Sequence, residues 1–187
     1  MTSLFGTNIH PNLVRLQCEQ GAVYSYREAQ RNLERVNCKP RGINNHTQVK
    51  RITGKVGEVL ASQNLQMPAI EKYAAPTQEL IVQVDGGHLP IQDKDKRSFE
   101  ALSAIVYKPE SIREIDKNHR QIINKNCVVS THNDRLKTIK IYVLNAAREQ
   151  GLVRETIVIG LANGTKNCWS ILSALKPHCQ TLECILD

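Results

Sequence analysis

Glu79-Leu80-Ile81-Val82-Gln83-Val84-Asp85-Gly86-Gly87-His88 is the stretch on which the reading of the whole chain turns. Residues 79–84 hold a short, mostly apolar, β-branched run, the composition of a strand buried on both faces at the centre of a parallel or mixed sheet. A carboxylate, Asp85, follows at the carboxyl end of that strand. Two glycines come next, and they let the backbone turn sharply or admit a ligand at close range. An aspartate at such a strand exit is placed to hold a divalent metal. The same three residues, Asp-Gly-Gly, also read as an ordinary turn.

Outward from this strand, the 187 residues allow one sizeable domain and a smaller one. Apolar residues make up 41% of the chain, and none of their runs reaches the length of a membrane span. No signal-peptide pattern opens it, so a soluble, cytoplasmic protein without a membrane partner is expected. The six cysteines (Cys18, Cys38, Cys127, Cys168, Cys179 and Cys184) contain no Cys-x-x-Cys pair, and a disulfide framework is not expected. His178, Cys179 and Cys184 read either as a partial zinc site or as ordinary side chains.

The net charge of +7 is unevenly spread. Residues 1–78 carry ten Lys/Arg against five Asp/Glu, whereas residues 79–187 carry fifteen against thirteen. Between Arg35 and Gly57 stand Arg35, Lys39, Arg41, Lys50, Arg51 and Lys55, with no acid among them. Such a block points to a polyanion, most simply nucleic acid, against the alternative of a solvated basic face.

Residues 1–24 read as irregular, broken by Gly6, His10-Pro11 and Gly21. Ser25-Tyr26-Arg27-Glu28 is a capping box, and Tyr26, Ala29, Leu33 and Val36 follow at helical spacing. Lys39-Pro40-Arg41-Gly42 ends this helix, and Asn44-Asn45 offers the next N-cap. Val49, Ile52, Val56, Val59 and Leu60 mark a second helix, weakened by Gly54 and Gly57, with Lys50, Arg51 and Lys55 largely off its apolar stripe. The connection is long for a helix-turn-helix. Residues 63–77, with Pro68 and Pro76, read as a linker, so the expected division is a basic helical DNA-binding region with its linker over 1–78 and a second domain over 79–187.

In that second domain, residues 91–98 read as a hairpin tip and 99–107 as a second strand. Residues 110–125 read as a short helix or long loop, and 127–131 as a third strand. Leu136, Ile139, Val143, Ala146 and Ala147 share a helical face, with Asp134 as N-cap and Gly151 as the stop. A strand over 156–161, a turn at Asn163-Gly164, a short helix over 168–175 and a last strand over 181–186 complete the pattern. The order β-β-β-α-β-α-β is the ribonuclease-H-like arrangement, an α/β fold with a mixed sheet. Crossover helices make the later strands parallel to their neighbours and set the exits of strands one and four side by side. Asp85, Asn163 and Asp187 stand at the exits of strands one, four and five.

Asp85-Gly86-Gly87, the 101–109 strand, the Gln150-Gly151 helix end, Ala162-Asn163-Gly164-Thr165-Lys166-Asn167-Cys168-Trp169 and the terminal Leu182-Glu183-Cys184-Ile185-Leu186-Asp187 together resemble bacterial insertion-sequence DDE transposases, in a group related to Mutator-like elements. The resemblance covers most of the chain, including the basic region, where the family has DNA-binding helices. It implies a catalytic domain in which carboxylates hold two Mg²⁺ or Mn²⁺ ions about 4 Å apart to cut and join DNA. It implies duplex DNA at transposon ends as partner, and allows a homo-oligomer. Carried over by position, Asp85 is a metal ligand, and Asn163 and Asp187 occupy the other catalytic motif positions. The family has Asp-Gly where this chain has Asn163-Gly164, and a neutral amide brings a carbonyl oxygen but no charge. The family also continues beyond its Leu-Asp into a helical segment with the catalytic glutamate. The resemblance therefore implies a truncated, inactive transposase copy. Two alternatives stand beside it: a DNA-binding repressor of the parent element, and a small nuclease drawing a third carboxylate from Asp93, Asp95 or Glu183.

Overall fold

The computed structural model describes residues 9–36, 42, 44–66, 74–91, 97–117 and 119–186. Lys39, Arg41, Asp93, Asp95 and Asp187 lie outside them, as do residues 67–73 of the expected linker and 92–96 of the hairpin tip. The chain divides into two compact units, residues 1–63 and 64–187.

The first unit holds three helices, α1 (Pro11–Val23), α2 (Tyr26–Val36) and α3 (His46–Asn64). The capping box expected before α2 forms in full. The Ser25 hydroxyl accepts from the Glu28 N–H at 3.4 Å, and Glu28 Oε2 accepts from the Ser25 N–H at 3.2 Å and from its hydroxyl at 2.6 Å. These bonds hold the exposed Glu28 carboxyl below its ordinary range, the serine hydroxyl first. Asn45 Oδ1 accepts from the Thr47 N–H at 2.7 Å at the start of α3. Ala29, Leu33 and Val49 form a small core flanked by Leu16 and Tyr26.

The helix α1 corrects the expectation of an irregular start. Pro11 opens it, with the His10 ring accepting from the Asn12 N–H at 3.3 Å. Its pattern is hard to see because one buried position is polar: Gln17 is fully buried and donates to Asn44 Oδ1 at 3.1 Å. Gly21 is not a breaker. A Cβ there would collide with Thr53 Oγ1 and lie 3.1 Å from Val49, so the glycine lets α1 close on α3.

The second unit is a five-stranded mixed sheet in the order β5-β2-β1-β6-β7. Its strands are β1 (Glu79–Pro90), β2 (Ser98–Tyr107), β5 (Asn126–Ser130), β6 (Ile157–Ala162) and β7 (Thr181–Leu186). β1 pairs antiparallel with β2 and β2 with β5, while β6 runs parallel to both β1 and β7. The crossovers carry α4 (Lys137–Glu149) and α5 (Lys166–Ser173). Both helices pack on one sheet face. Leu80, Val82, Val84, Leu102, Ala104 and Val106 meet Ile139, Val143, Ala147, Ile171 and Leu172 in one core. A Cβ on Gly160 would lie 2.9 Å from Leu172, so α5 approaches the sheet closely over β6. Ile81, Ile105, Ile159 and Leu161 alternate onto the other face and are only half-buried. No helix of the described residues is long and apolar enough to cross a membrane.

Three local expectations change. Asp-Gly-Gly is not a turn: β1 runs through it to Pro90, paired with β2 throughout. Residues 110–125 are not a long loop: after a single 3₁₀ turn at Pro109–Ser111 they form a two-stranded ribbon, β3 (Ile112–Asp116) with β4 (His119–Ile122). The end of the expected linker belongs to the sheet unit. Ala74 and Thr77 donate backbone N–H groups to Glu149 and Gly151, both at 3.1 Å, and the Ile157 N–H donates to Gln78 at 2.8 Å. Gly151, at φ +95, both stops α4 and leaves room for the Ala75 carbonyl. Asp134 caps α4 from beyond its start, accepting from the Thr138 N–H at 2.9 Å and its hydroxyl at 2.5 Å. Those bonds depress its carboxyl pKa, the hydroxyl first.

Candidate functional site

The parallel ladder between β1 and β6 ends at the Val84–Ala162 pair. One residue further on each strand stand Asp85 and Asn163, both exposed. Sequence reasoning set these two side by side, and they touch: Asn163 Nδ2 donates to Asp85 Oδ1 at 2.9 Å. The same Asp85 oxygen accepts from the Gly86 N–H at 2.8 Å. Asn163 Oδ1 in turn accepts from the Thr165 N–H at 3.3 Å, across the turn that Gly164 makes at φ +83. This second bond fixes the amide: its oxygen faces the loop and its nitrogen faces Asp85. An aspartate at 163 would keep the loop bond and lose the bond to Asp85.

A second pair of an acid and an amide lies beside the first. Asn167, in the first turn of α5, donates from Nδ2 to both oxygens of Glu100 at 3.0 Å. Glu100 sits on β2 opposite His88, two ladder positions from Gly86. A Cβ on Gly86 would lie 3.0 Å from Leu102 Cδ2, and at an ordinary contact distance, 3.7 Å, from Glu100 Oε1. Glu100 and Asn167 were not singled out from the sequence. Glu100 is one acid in an alternating strand, and its meeting with α5 depends on the crossover. The signal available was Asn167, one residue before Cys168 in the motif that carried the resemblance.

Of the carboxylates considered earlier as a third ligand, Glu183 alone is among the described residues, and it does not join this cluster. Asp93, Asp95 and Asp187 lie outside the described residues. Glu183 pairs with Ile159, which pairs with Ile81, four residues back along β1 from Asp85. That offset is about 13 Å of strand. Among the described residues no three His, Cys, Asp or Glu side chains gather closely enough to hold a metal, which also disposes of His178, Cys179 and Cys184. A hard divalent ion takes several oxygen ligands, mostly anionic. Here the group facing Asp85 is an N–H donor, so this donor set does not fit a two-metal centre.

In the helical unit, Arg35, Lys50 and Arg51 are exposed and Lys55 is half-buried, while Lys39 and Arg41 lie outside the described residues. Arg51 Nε donates to Gln48 Oε1 at 3.2 Å. The Gln30 Oε1 atom accepts from the His46 N–H at 2.8 Å and lies 3.1 Å from its ring Nδ1, tying the first turn of α3 to the middle of α2. No family model and no curated protein matches the chain.

Proposed function

We propose that the chain derives from an insertion-sequence DDE transposase and binds duplex DNA without cutting it. The observation that carries this reading is the contact between Asp85 and Asn163 at the ends of two parallel neighbouring strands. The strand order, with β1 and β2 antiparallel and β1, β6 and β7 parallel, is the one expected of a ribonuclease-H-like catalytic domain. In such a domain the acids that carry the chemistry stand at this crossing of the sheet. Here one is an acid, and the other is an amide that donates to it.

Metal-dependent strand transfer in the parent family draws on Mg²⁺ or Mn²⁺ held between carboxylates. Of the two family positions that meet here, Asp85 retains its charge and Asn163 does not. Asp85 Oδ1 is already engaged by two N–H donors, so the site is stable as a protein–protein hydrogen-bonded pair without an ion. The basic helical unit supplies the remaining activity, attachment to the phosphate backbone. Exposed Arg35, Lys50 and Arg51 fit that role, and phosphate contacts position a protein without reading sequence.

Glu100 favours a second reading, a small metal-dependent nuclease, because it brings another carboxylate to the same end of the sheet.

Fluorescence anisotropy of a labelled duplex of about 30 base pairs tests the DNA-binding reading. Three or more phosphate contacts give a slope of log affinity against log salt steeper than about −2.5. Affinity that stays flat between about 50 and 200 mM salt sinks the reading.

A further inference from the structure

We infer that α2, through Arg27, Arg31 and Arg35, is the helix that lies along the DNA phosphates, a proposal that rests on the DNA-binding reading above. These three arginines recur every fourth residue and are all exposed. At 3.6 residues per turn they form one stripe, opposite the face that carries buried Ala29 and Leu33. From Arg27 to Arg35 the stripe is about 12 Å long, some three to four base-pair steps at 3.4 Å each.

Two features set this stripe apart from an ordinary solvated helix face. Arg27–Arg31 and Arg31–Arg35 are like-charge pairs at the spacing where opposite charges would stabilise the helix, so the arrangement works against α2 standing alone. Glu28 attracts Arg31, but neither glutamate of the helix forms an ion pair with the stripe. Glu28 is taken up by the Ser25 cap, and Glu34 accepts from Gln30 Nε2 at 2.8 Å. Arg15 pairs instead with Glu19 on α1. A row of guanidinium groups that repel one another and, among the described residues, form no ion pair with a carboxylate suits a row of phosphates, each of which takes two parallel N–H bonds from arginine.

A further exposed basic residue, Lys50, stands on α3. His46 is bonded to Gln30, which lies between Arg27 and Glu34 on the α2 surface, and Lys50 follows His46 by one turn. Lys50 therefore shares the face of α3 that begins at His46.

The test compares salt slopes of duplex binding by the full chain and by Arg27→Ala/Arg31→Ala/Arg35→Ala. Alanine is a good helix former, so these exposed changes preserve α2, which circular dichroism checks. Loss of three phosphate contacts makes the slope shallower by about 2.7. The triple lysine variant keeps the wild-type slope, because lysine still neutralises phosphate. A control with the same charge loss, Arg113→Ala/Lys117→Ala/Arg120→Ala on the β3–β4 ribbon, leaves the slope in place. A wild-type chain that binds steeply while the α2 triple-alanine variant keeps the same slope overturns the assignment to α2 alone. An equal fall in the ribbon control overturns it too, since total charge would then explain the effect. A wild-type chain with no salt-dependent binding removes the DNA-binding reading itself.

Discussion

Replacing Asn163 by aspartate perturbs one contact and leaves the fold otherwise untouched. The backbone geometry at 163 suits either residue, and the Thr165 N–H is satisfied by an aspartate oxygen as well as by the amide oxygen. The change falls on the 2.9 Å bond to Asp85. A hydrogen bond to a charged group contributes about 1.5–3 kcal/mol when shielded, and about 1 kcal/mol at an exposed site such as this one. In its place come two carboxylates, whose repulsion at about 4 Å in a water-like dielectric is about 1 kcal/mol. Asn163→Asp should therefore destabilise the sheet unit by about 2 kcal/mol in the presence of EDTA, a fall in Tm of about 8 °C for a domain of this size. Divalent ions reverse the sign of the effect in the variant only. Two facing carboxylates offer Mg²⁺, Mn²⁺ or Ca²⁺ an oxygen site that the wild-type pair lacks, and an ion that binds the folded state raises its Tm. The assay is thermal unfolding of both chains with EDTA and with millimolar Mg²⁺ or Mn²⁺. An unchanged Tm for Asn163→Asp in EDTA would refute the account of the pair. A variant that gains no more from the ion than the wild type would refute its equivalence to a metal position.

Gly54 and Gly57 lie in α3 with open space around the position of a Cβ, so Gly54→Ala and Gly57→Ala should each stabilise the helical unit by about 0.5–1 kcal/mol in urea unfolding; a loss of stability at either site would mean that the glycine is needed for a close approach. Gly151→Ala should do the opposite by more than about 1 kcal/mol, because φ is +95 and the new Cβ would meet the Ala75 carbonyl; a neutral result would show that residues 74–78 are not held there. The depressed pKa of Asp134 sets a pH dependence of definite sign. Its stabilising contribution is full above the ordinary carboxylate pKa and disappears as pH falls through the lower folded-state value. The stability difference between wild type and Asp134→Asn should therefore shrink on acidification, and a difference constant with pH would rule out this linkage.

The strands of the sheet were legible where β-branched residues alternate or run together, as in Leu80 to Val84 and Ile157 to Leu161. The length of β1 was not. Paired glycines signal a turn by local chemistry, yet a ladder with β2 needs only backbone groups, and glycine supplies those. The helix α1 was hidden by buried Gln17 and by Gly21, whose purpose is contact with α3 and not a break. The β3–β4 ribbon was hidden because its residues are nearly all exposed, so no buried face imposes a period on the sequence. The contact of Asp85 with Asn163 followed from strand order alone. The Glu100–Asn167 contact did not, since it joins residues 67 positions apart through the placement of α5 on the sheet.

The central claim is that this chain holds duplex DNA and leaves it whole. The most direct measurement incubates the 187-residue chain with an end-labelled duplex in Mg²⁺ and in Mn²⁺, and resolves each sample on native and denaturing gels. The account predicts a retarded complex on the first gel and an intact strand on the second. Metal-dependent cleavage by the unaltered chain, abolished by Asp85→Ala, would contradict it and make the site beside Glu100 that of a working nuclease.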